Sequence, residues 1–150
     1  MFFKKKKEKT EKMVAPTENT AKAVKTIKDV ETAIDKERDP NKLALLCTAA
    51  GMAYMYGEHN ASVDINKAEN YLKKGMEYGS QESYDLLGEL YISSFTDDIK
   101  KFSKGIVMMC HRYSEGNERA GKILQFVIDE NVLPGYTSVE QLVLEYEASI

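Results

Sequence analysis

Hydrophobic residues recur at helical spacing along most of the chain, with polar residues between them. The first apolar stripe consists of Ala23, Val24, Ile27, Val30 and Ile34. It predicts a helix that begins at Thr17 or Asn19, either of which can cap it, and that ends near Lys36. Pro40 follows at a position suited to the first turn of a second helix, because no intrahelical N–H partner is needed there. We therefore expect an N-terminal capping helix over residues 17–38.

From there on, the apolar pattern repeats every 37 residues. The columns that align are mostly small or apolar. They include Leu46/Ser83/Ala120, Ala50/Leu87/Leu124, Ala53/Leu90/Val127, Ile65/Phe102/Val139, Leu72/Met109/Tyr146 and Met76/Tyr113/Ile150. A period of this size with two helices per repeat indicates an α-solenoid. We predict an all-α fold, a short right-handed α-solenoid of about three helix pairs over residues 39–150, with repeats near 43–79, 80–116 and 117–150.

Glycines support this interpretation. Gly79 and Gly116 end the first two repeats, where a helix C-terminus favours a left-handed residue. Gly51 and Gly88 lie inside predicted helices, at a cost of about 1 kcal/mol each relative to alanine. We attribute them to close packing against the paired helix, and expect column tyrosines such as Tyr54 to fill the space between repeats.

The third repeat carries a further local signal. Ser138 followed by Gln141 is a capping-box pattern, and it predicts that the last helix begins near Val139.

Two stretches of the repeat region resemble Sel1-like repeats, which are relatives of tetratricopeptide repeats. Residues 50–57 (AGMAYMYG) and 87–91 (LGELY) are similar to the "LG-x-LY-x-x-G" core of that family, and residues 64–79 are similar to its second half. The second repeat departs from the family at Ser94 and Gly105, where glycine and alanine are usual. The resemblance implies an adaptor or scaffold that binds proteins or peptides without catalysis.

Charge is distributed unevenly. The formal net charge is −3, yet residues 1–12 (MFFKKKKEKTEK) carry +4 and residues 127–150 carry −5. We expect residues 1–16 to be a disordered basic lead on an acidic body. Basic charge outside the folded part argues against a nucleic-acid-binding fold, and an acidic body suits a basic partner protein.

The residues that usually carry chemistry are few and separated. Cys47 and Cys110 fit two buried thiols in a reducing cytosol; a disulfide between them would need an oxidising compartment. His59 and His111 lack further ligands at metal-binding spacing, and Cys110 lacks a catalytic signature around it. We therefore predict a cytoplasmic protein that is not an enzyme and that needs neither cofactor nor metal.

The outward columns of the first helices are the candidate partner-binding groove, since they alternate apolar and charged residues. These positions are Leu45, Thr48, Met52, Met55, Glu82, Asp85, Glu89, Ile92, Arg119, Lys122 and Phe126. Methionine and aromatic side chains make adaptable contacts, and arginine or lysine can anchor a carboxylate. The alternative is that Met52, Met55 and Phe126 are buried by the N-terminal helix or by a neighbouring repeat.

A second functional hypothesis uses the N-terminus. Phe2 and Phe3, followed by Lys4, Lys5, Lys6 and Lys7, could tether a scaffold to an anionic membrane surface. Such a contact alone would be weak and reversible. Three repeats also leave end faces through which the protein could self-associate.

Overall fold

The computed structural model describes residues 25–150, in which α-helices are connected by loops and no strand is present. The chain divides into an N-terminal unit, Met1–Ser83, and a C-terminal unit, Tyr84–Ile150. The helices are α1 (Ile27–Lys36), α2 (Pro40–Tyr56), α3 (Ile65–Glu77), α4 (Gln81–Ser94), α5 (Ile99–Ser114), α6 (Glu118–Asp129) and α7 (Val139–Ser149). The predicted all-α class is confirmed, whereas the basic lead (residues 1–16) lies outside the described residues.

Helix α1 begins later than the apolar stripe suggested. Thr26 has an extended backbone and caps the helix, with its hydroxyl accepting the Asp29 N–H and the Asp29 carboxylate accepting the Thr26 N–H. This reciprocal capping box fixes the start at Ile27. The predicted caps Thr17 and Asn19 lie outside the described residues.

The N-terminal unit is centred on α2, against which α1 and α3 both pack. Pro40 occupies the first turn of α2, as predicted. The glycine at position 51 allows α3 to come close: a Cβ there would lie 2.5 Å from Cδ2 of Leu72, a fully buried side chain. The attribution of Gly51 to close helix packing is thus confirmed.

The C-terminal unit repeats that contact in its own core. A Cβ on Gly88 of α4 would lie 2.5 Å from Cε of Met109 on α5. Gly105 of α5 approaches α4 more closely still, because its Cβ would meet the Gly88 carbonyl oxygen at 2.9 Å. Helices α6 and α7 pack on α5 and on each other.

The joints α3–α4 and α5–α6 have the same hydrogen bonds. Gly79 and Gly116 have left-handed φ values of 95° and 93°, as predicted. In each joint the glycine N–H and the next N–H bond back to the preceding helix, which is the Schellman arrangement. That next residue, Ser80 or Asn117, also caps the following helix by accepting the N–H of the third residue beyond it. One residue therefore ends one helix and starts the next.

Side-chain caps start the second helix of each pair. Asp64 accepts the Lys67 N–H at α3, and Asp98 accepts two N–H groups at α5. At α7 the Ser138 hydroxyl accepts the Gln141 N–H, as the sequence predicts. The Gln141 side chain, however, accepts the N–H of Thr137 rather than that of Ser138, so half of the expected box forms.

Candidate protein-binding surface

Four residues of the predicted groove have buried side chains, namely Thr48, Met55, Glu89 and Ile92. This corrects their assignment as partner contacts. The prediction treated every position between the core columns of a first helix as facing outward. The long helices α2 and α4 instead bury residues on most of their circumference.

Thr48 shows how this happens in the N-terminal unit. Its Oγ1 donates to the Ala44 carbonyl oxygen and lies 2.8 Å from Ser80 Oγ and 2.7 Å from Ser83 Oγ. Gly75, which has no side chain, faces the hydroxyl groups of Thr48 and Ser83. The three hydroxyl groups satisfy one another, which lets a polar cluster sit in the interior.

Ion pairs occupy the charged groove positions of the C-terminal unit. Arg119, expected to anchor a partner carboxylate, instead donates through Nε to the buried Glu89 carboxylate. Asp85 accepts two bonds from Arg112, at 2.6 Å from Nε and 3.3 Å from Nη2. These bonds raise the pKa of the Arg112 guanidinium. Both pairs join α4 to a later helix and hold the unit together.

The other predicted positions remain accessible to different degrees. Met52, Asp85 and Arg119 are half-buried, while Leu45, Glu82, Lys122 and Phe126 are exposed. Leu45, on α2, is 72% exposed. The structure brings Arg119, Lys122 and Phe126 together on one side of α6, where they lie three and four residues apart. We call these three residues the α6 face.

A cavity of about 390 Å³ adjoins the α6 face within the C-terminal unit. Its lining consists of Tyr113, Glu118, Gly121, Lys122, Gln125, Val139 and Glu140. Gly121 helps to open the cavity, since a Cβ there would lie 2.9 Å from the Tyr113 ring. Sequence reasoning passed over Gly121, although it stands in the same 37-residue column as Cys47 and Tyr84 and is the smallest of the three.

A second group missed by sequence reasoning links α1 to the N-terminal unit. The Glu31 carboxylate accepts the hydroxyl protons of Tyr54 at 3.1 Å and of Tyr71 at 2.6 Å. The two rings are stacked, with centroids 5.9 Å apart. Burial, reinforced by the bonds to the carboxylate, raises the pKa of both phenols. This cluster stabilises the packing of α1. Local sequence patterns do not reveal it, because Glu31 is 23 residues from Tyr54 and 40 residues from Tyr71.

The candidate chemical groups are dispersed in the described part of the chain. Cys47 and Cys110 are both buried and unbridged, and burial raises the pKa of each thiol, that of Cys110 to about 11. His111 lies 2.7 Å from Glu115 within α5, and the His59 ring nitrogen Nδ1 lies 2.7 Å from the Lys25 carbonyl oxygen. Within residues 25–150, no three His, Cys, Asp or Glu side chains are grouped so as to hold a metal ion.

Phe2, Phe3 and Lys4–Lys7, the basis of the membrane-tether hypothesis, lie outside the described residues. Between residues 25 and 150, no helix is both long and apolar enough to cross a membrane.

Comparisons of the chain with protein-family models, with curated proteins and with solved structures found no match.

Proposed function

We propose that this chain is a protein-binding module of the Sel1-like type, a short α-solenoid that acts as an adaptor or as an inhibitory partner in the cytoplasm. Two matched features support the repeat. The Gly51–Leu72 contact and the Gly88–Met109 contact stand 37 residues apart and have the same form. The joints at residues 79 and 116 share their hydrogen bonds as well. The free, buried cysteines support a reducing compartment.

The observation that carries the binding proposal is the exposure of Phe126. Helix α6 buries Ile123, Leu124 and Val127 in the core, yet it leaves 47% of Phe126 accessible. Lys122 lies one turn away, beside the cavity. An accessible aromatic ring next to a lysine and a cavity combines the contacts that dominate binding energy in protein interfaces.

The partner would bury the Phe126 ring and place a carboxylate near Lys122. Arg119 would contribute its apolar stem while its guanidinium remains bound to Glu89.

The test is quantitative affinity capture from cytosol with the full chain as bait. The double variant F126A/K122E should lose the specifically captured protein, and the purified partner should bind it about tenfold or more weakly. The matched control is K104E/V107A on α5, where a lysine and a 48% exposed valine lie three residues apart. Equal capture by wild type and F126A/K122E, with unchanged helical circular dichroism, would contradict the proposal.

A further inference from the structure

The last helix has an exposed leucine on the side that faces away from its core. Helix α7 buries Val139, Leu142 and Val143 but leaves 65% of Leu144 accessible. At 3.6 residues per turn, Glu140 and Glu147 lie on the same face as Leu144, about one turn before it and one turn after it. We call Glu140, Leu144 and Glu147 the α7 face.

Carboxylates dominate the surroundings of this face. The C-terminal unit contains eleven acidic and six basic residues, a net charge of −5, and residues 127–150 contain five acidic residues and no lysine or arginine. Arg112 and Arg119, two of the six basic residues, are already bound to Asp85 and Glu89.

Hydrogen bonds hold two α7 carboxylates in position. The Tyr113 hydroxyl donates to Glu140 Oε1 at 3.3 Å, and the Tyr136 hydroxyl donates to Glu145 Oε2 at 2.5 Å. Carboxylates that are held in place lose less side-chain entropy when a cation binds to them.

The cavity continues the α7 face toward α5 and α6. Val139 and the Tyr113 ring supply apolar lining. The charged residues in the cavity lining are Glu118, Lys122 and Glu140, which are two carboxylates and one ammonium group. A lysine or arginine from a partner could lay its aliphatic stem on this lining while its cation meets Glu118 or Glu140.

We propose that the α7 face, together with this cavity, docks a basic amphipathic segment of another protein. An apolar side chain of the segment covers Leu144, and its lysine or arginine side chains pair with Glu140 and Glu147. Opposite charge selects the partner and speeds the encounter, while burial of Leu144 holds the complex. The site shares the cavity and Lys122 with the α6 face. Its anchor residues, Glu140, Leu144 and Glu147, are different, and the proposal does not depend on the function proposed for the α6 face.

Fluorescence anisotropy of a labelled synthetic peptide tests this on the full chain. The probe is a twelve-residue helical peptide that presents on one face a leucine with a lysine one turn before it and another one turn after it. Its Lys→Glu and Leu→Ser versions are the control probes. The variant E140K/E147K should weaken binding about tenfold near 0.05 M salt, and the difference should shrink near 0.5 M because salt screens exposed charges. L144A should weaken binding about threefold at both salt concentrations.

Matched variants distinguish binding of the probe at the α7 face from a general attraction of the probe to the negative charge of the chain. Val107, exposed on α5 with Lys104 one turn before it, provides the control V107A, and the exposed Asp97 provides D97K. Both should bind the probe as wild type does, and so should F126A, which separates this result from a failure of the α6 proposal. Equal weakening by D97K and by a single E147K reversal would show attraction to net charge alone and would overturn the proposal.

A variant in which glutamine replaces Lys4, Lys5, Lys6 and Lys7 provides a further test. If this variant bound the probe more tightly than wild type, the chain's own lysines would be what occupies the α7 face, and the proposal of a partner protein would be overturned. Circular dichroism of every variant establishes that the helices are intact.

Discussion

Replacing Gly105 with alanine tests the close approach of α4 and α5 in the C-terminal unit. Propensity alone predicts a gain, since alanine is about 1 kcal/mol better than glycine inside a helix. The structure predicts a loss. The new Cβ would lie 2.9 Å from the Gly88 carbonyl oxygen, 2.9 Å from Tyr91 Cβ and 3.0 Å from Ile92 Cγ1. An oxygen of the backbone and a Cβ cannot rotate away, so the helices themselves must separate.

The size of the loss follows from that separation. Ordinary contacts between carbon atoms begin near 3.5 Å, so α4 and α5 must move apart by about half an ångström. Overpacking of this kind costs about 1–3 kcal/mol, and it also removes the packing of the neighbouring side chains. We expect G105A to lower the free energy of unfolding by about 2 kcal/mol after the gain in propensity is included.

Urea denaturation followed by circular dichroism at 222 nm measures the effect, and two variants calibrate it. In G88A the new Cβ would meet Cε of Met109, the end of a flexible side chain, so we expect a change within about 1 kcal/mol of zero. S103A, exposed on α5, should show only the propensity gain of about 0.5 kcal/mol. A G105A protein that is as stable as S103A would refute the close approach of the two helices.

Three more perturbations test local features. E31Q removes the charged acceptor of two phenol protons, so it should lower the free energy of unfolding by about 1–2 kcal/mol, measured by urea denaturation. It should also lower the pKa of Tyr71, measured by absorbance at 295 nm during alkaline titration. An unchanged Tyr71 titration would contradict this. Burial raises the Cys110 pKa to about 11 in the folded state, so its contribution to stability is complete below about pH 9 and is lost as the pH rises toward 11. Native protein at pH 8 should therefore react with iodoacetamide only after unfolding, and rapid alkylation of Cys110 in folded protein would show that the thiol is accessible. G79A and G116A should each lower the free energy of unfolding by about 1 kcal/mol, measured in urea, because both φ values are positive. Nothing lies within 4 Å of either added Cβ, so the loss would come from the backbone conformation and not from a steric clash. No loss in either variant would mean that these joints do not require a left-handed residue.

Features that depend on the local backbone were predictable. Gly79 and Gly116 mark helix ends, and Pro40 begins a helix. Gly51 and Gly88 allow the paired helix to come close. Each of these features depends on the residue type at a single position, which the sequence displays directly. The start of α1 was harder to predict, since several candidate caps precede it. The pattern that forms is Thr26 with Asp29, in which the two residues satisfy each other.

The groove was predicted less well, because burial depends on how many helices surround a position. Thr48 is buried by contacts with Ser80 and Ser83, residues 32 and 35 positions away. The groove hypothesis assigns Arg119 to a partner's carboxylate, whereas its guanidinium pairs with Glu89, a residue of the same predicted set. A column in a repeat indicates which residues are equivalent and does not indicate which of them find partners elsewhere in the fold.

The joints at Gly79 and Gly116 restrict how the chain can change in length. Since Ser80 and Asn117 each complete one helix and cap the next, an inserted residue there would break one set of bonds or the other. The loops at residues 57–64, 95–98 and 130–138 carry no such double role and already differ in length. Insertions and deletions during evolution should therefore collect in those loops. The segment from Ser80 to Gly116 lies between two joints that have the same hydrogen bonds, so a second copy of it inserted after Gly116 could keep both joints intact in an engineered, longer chain.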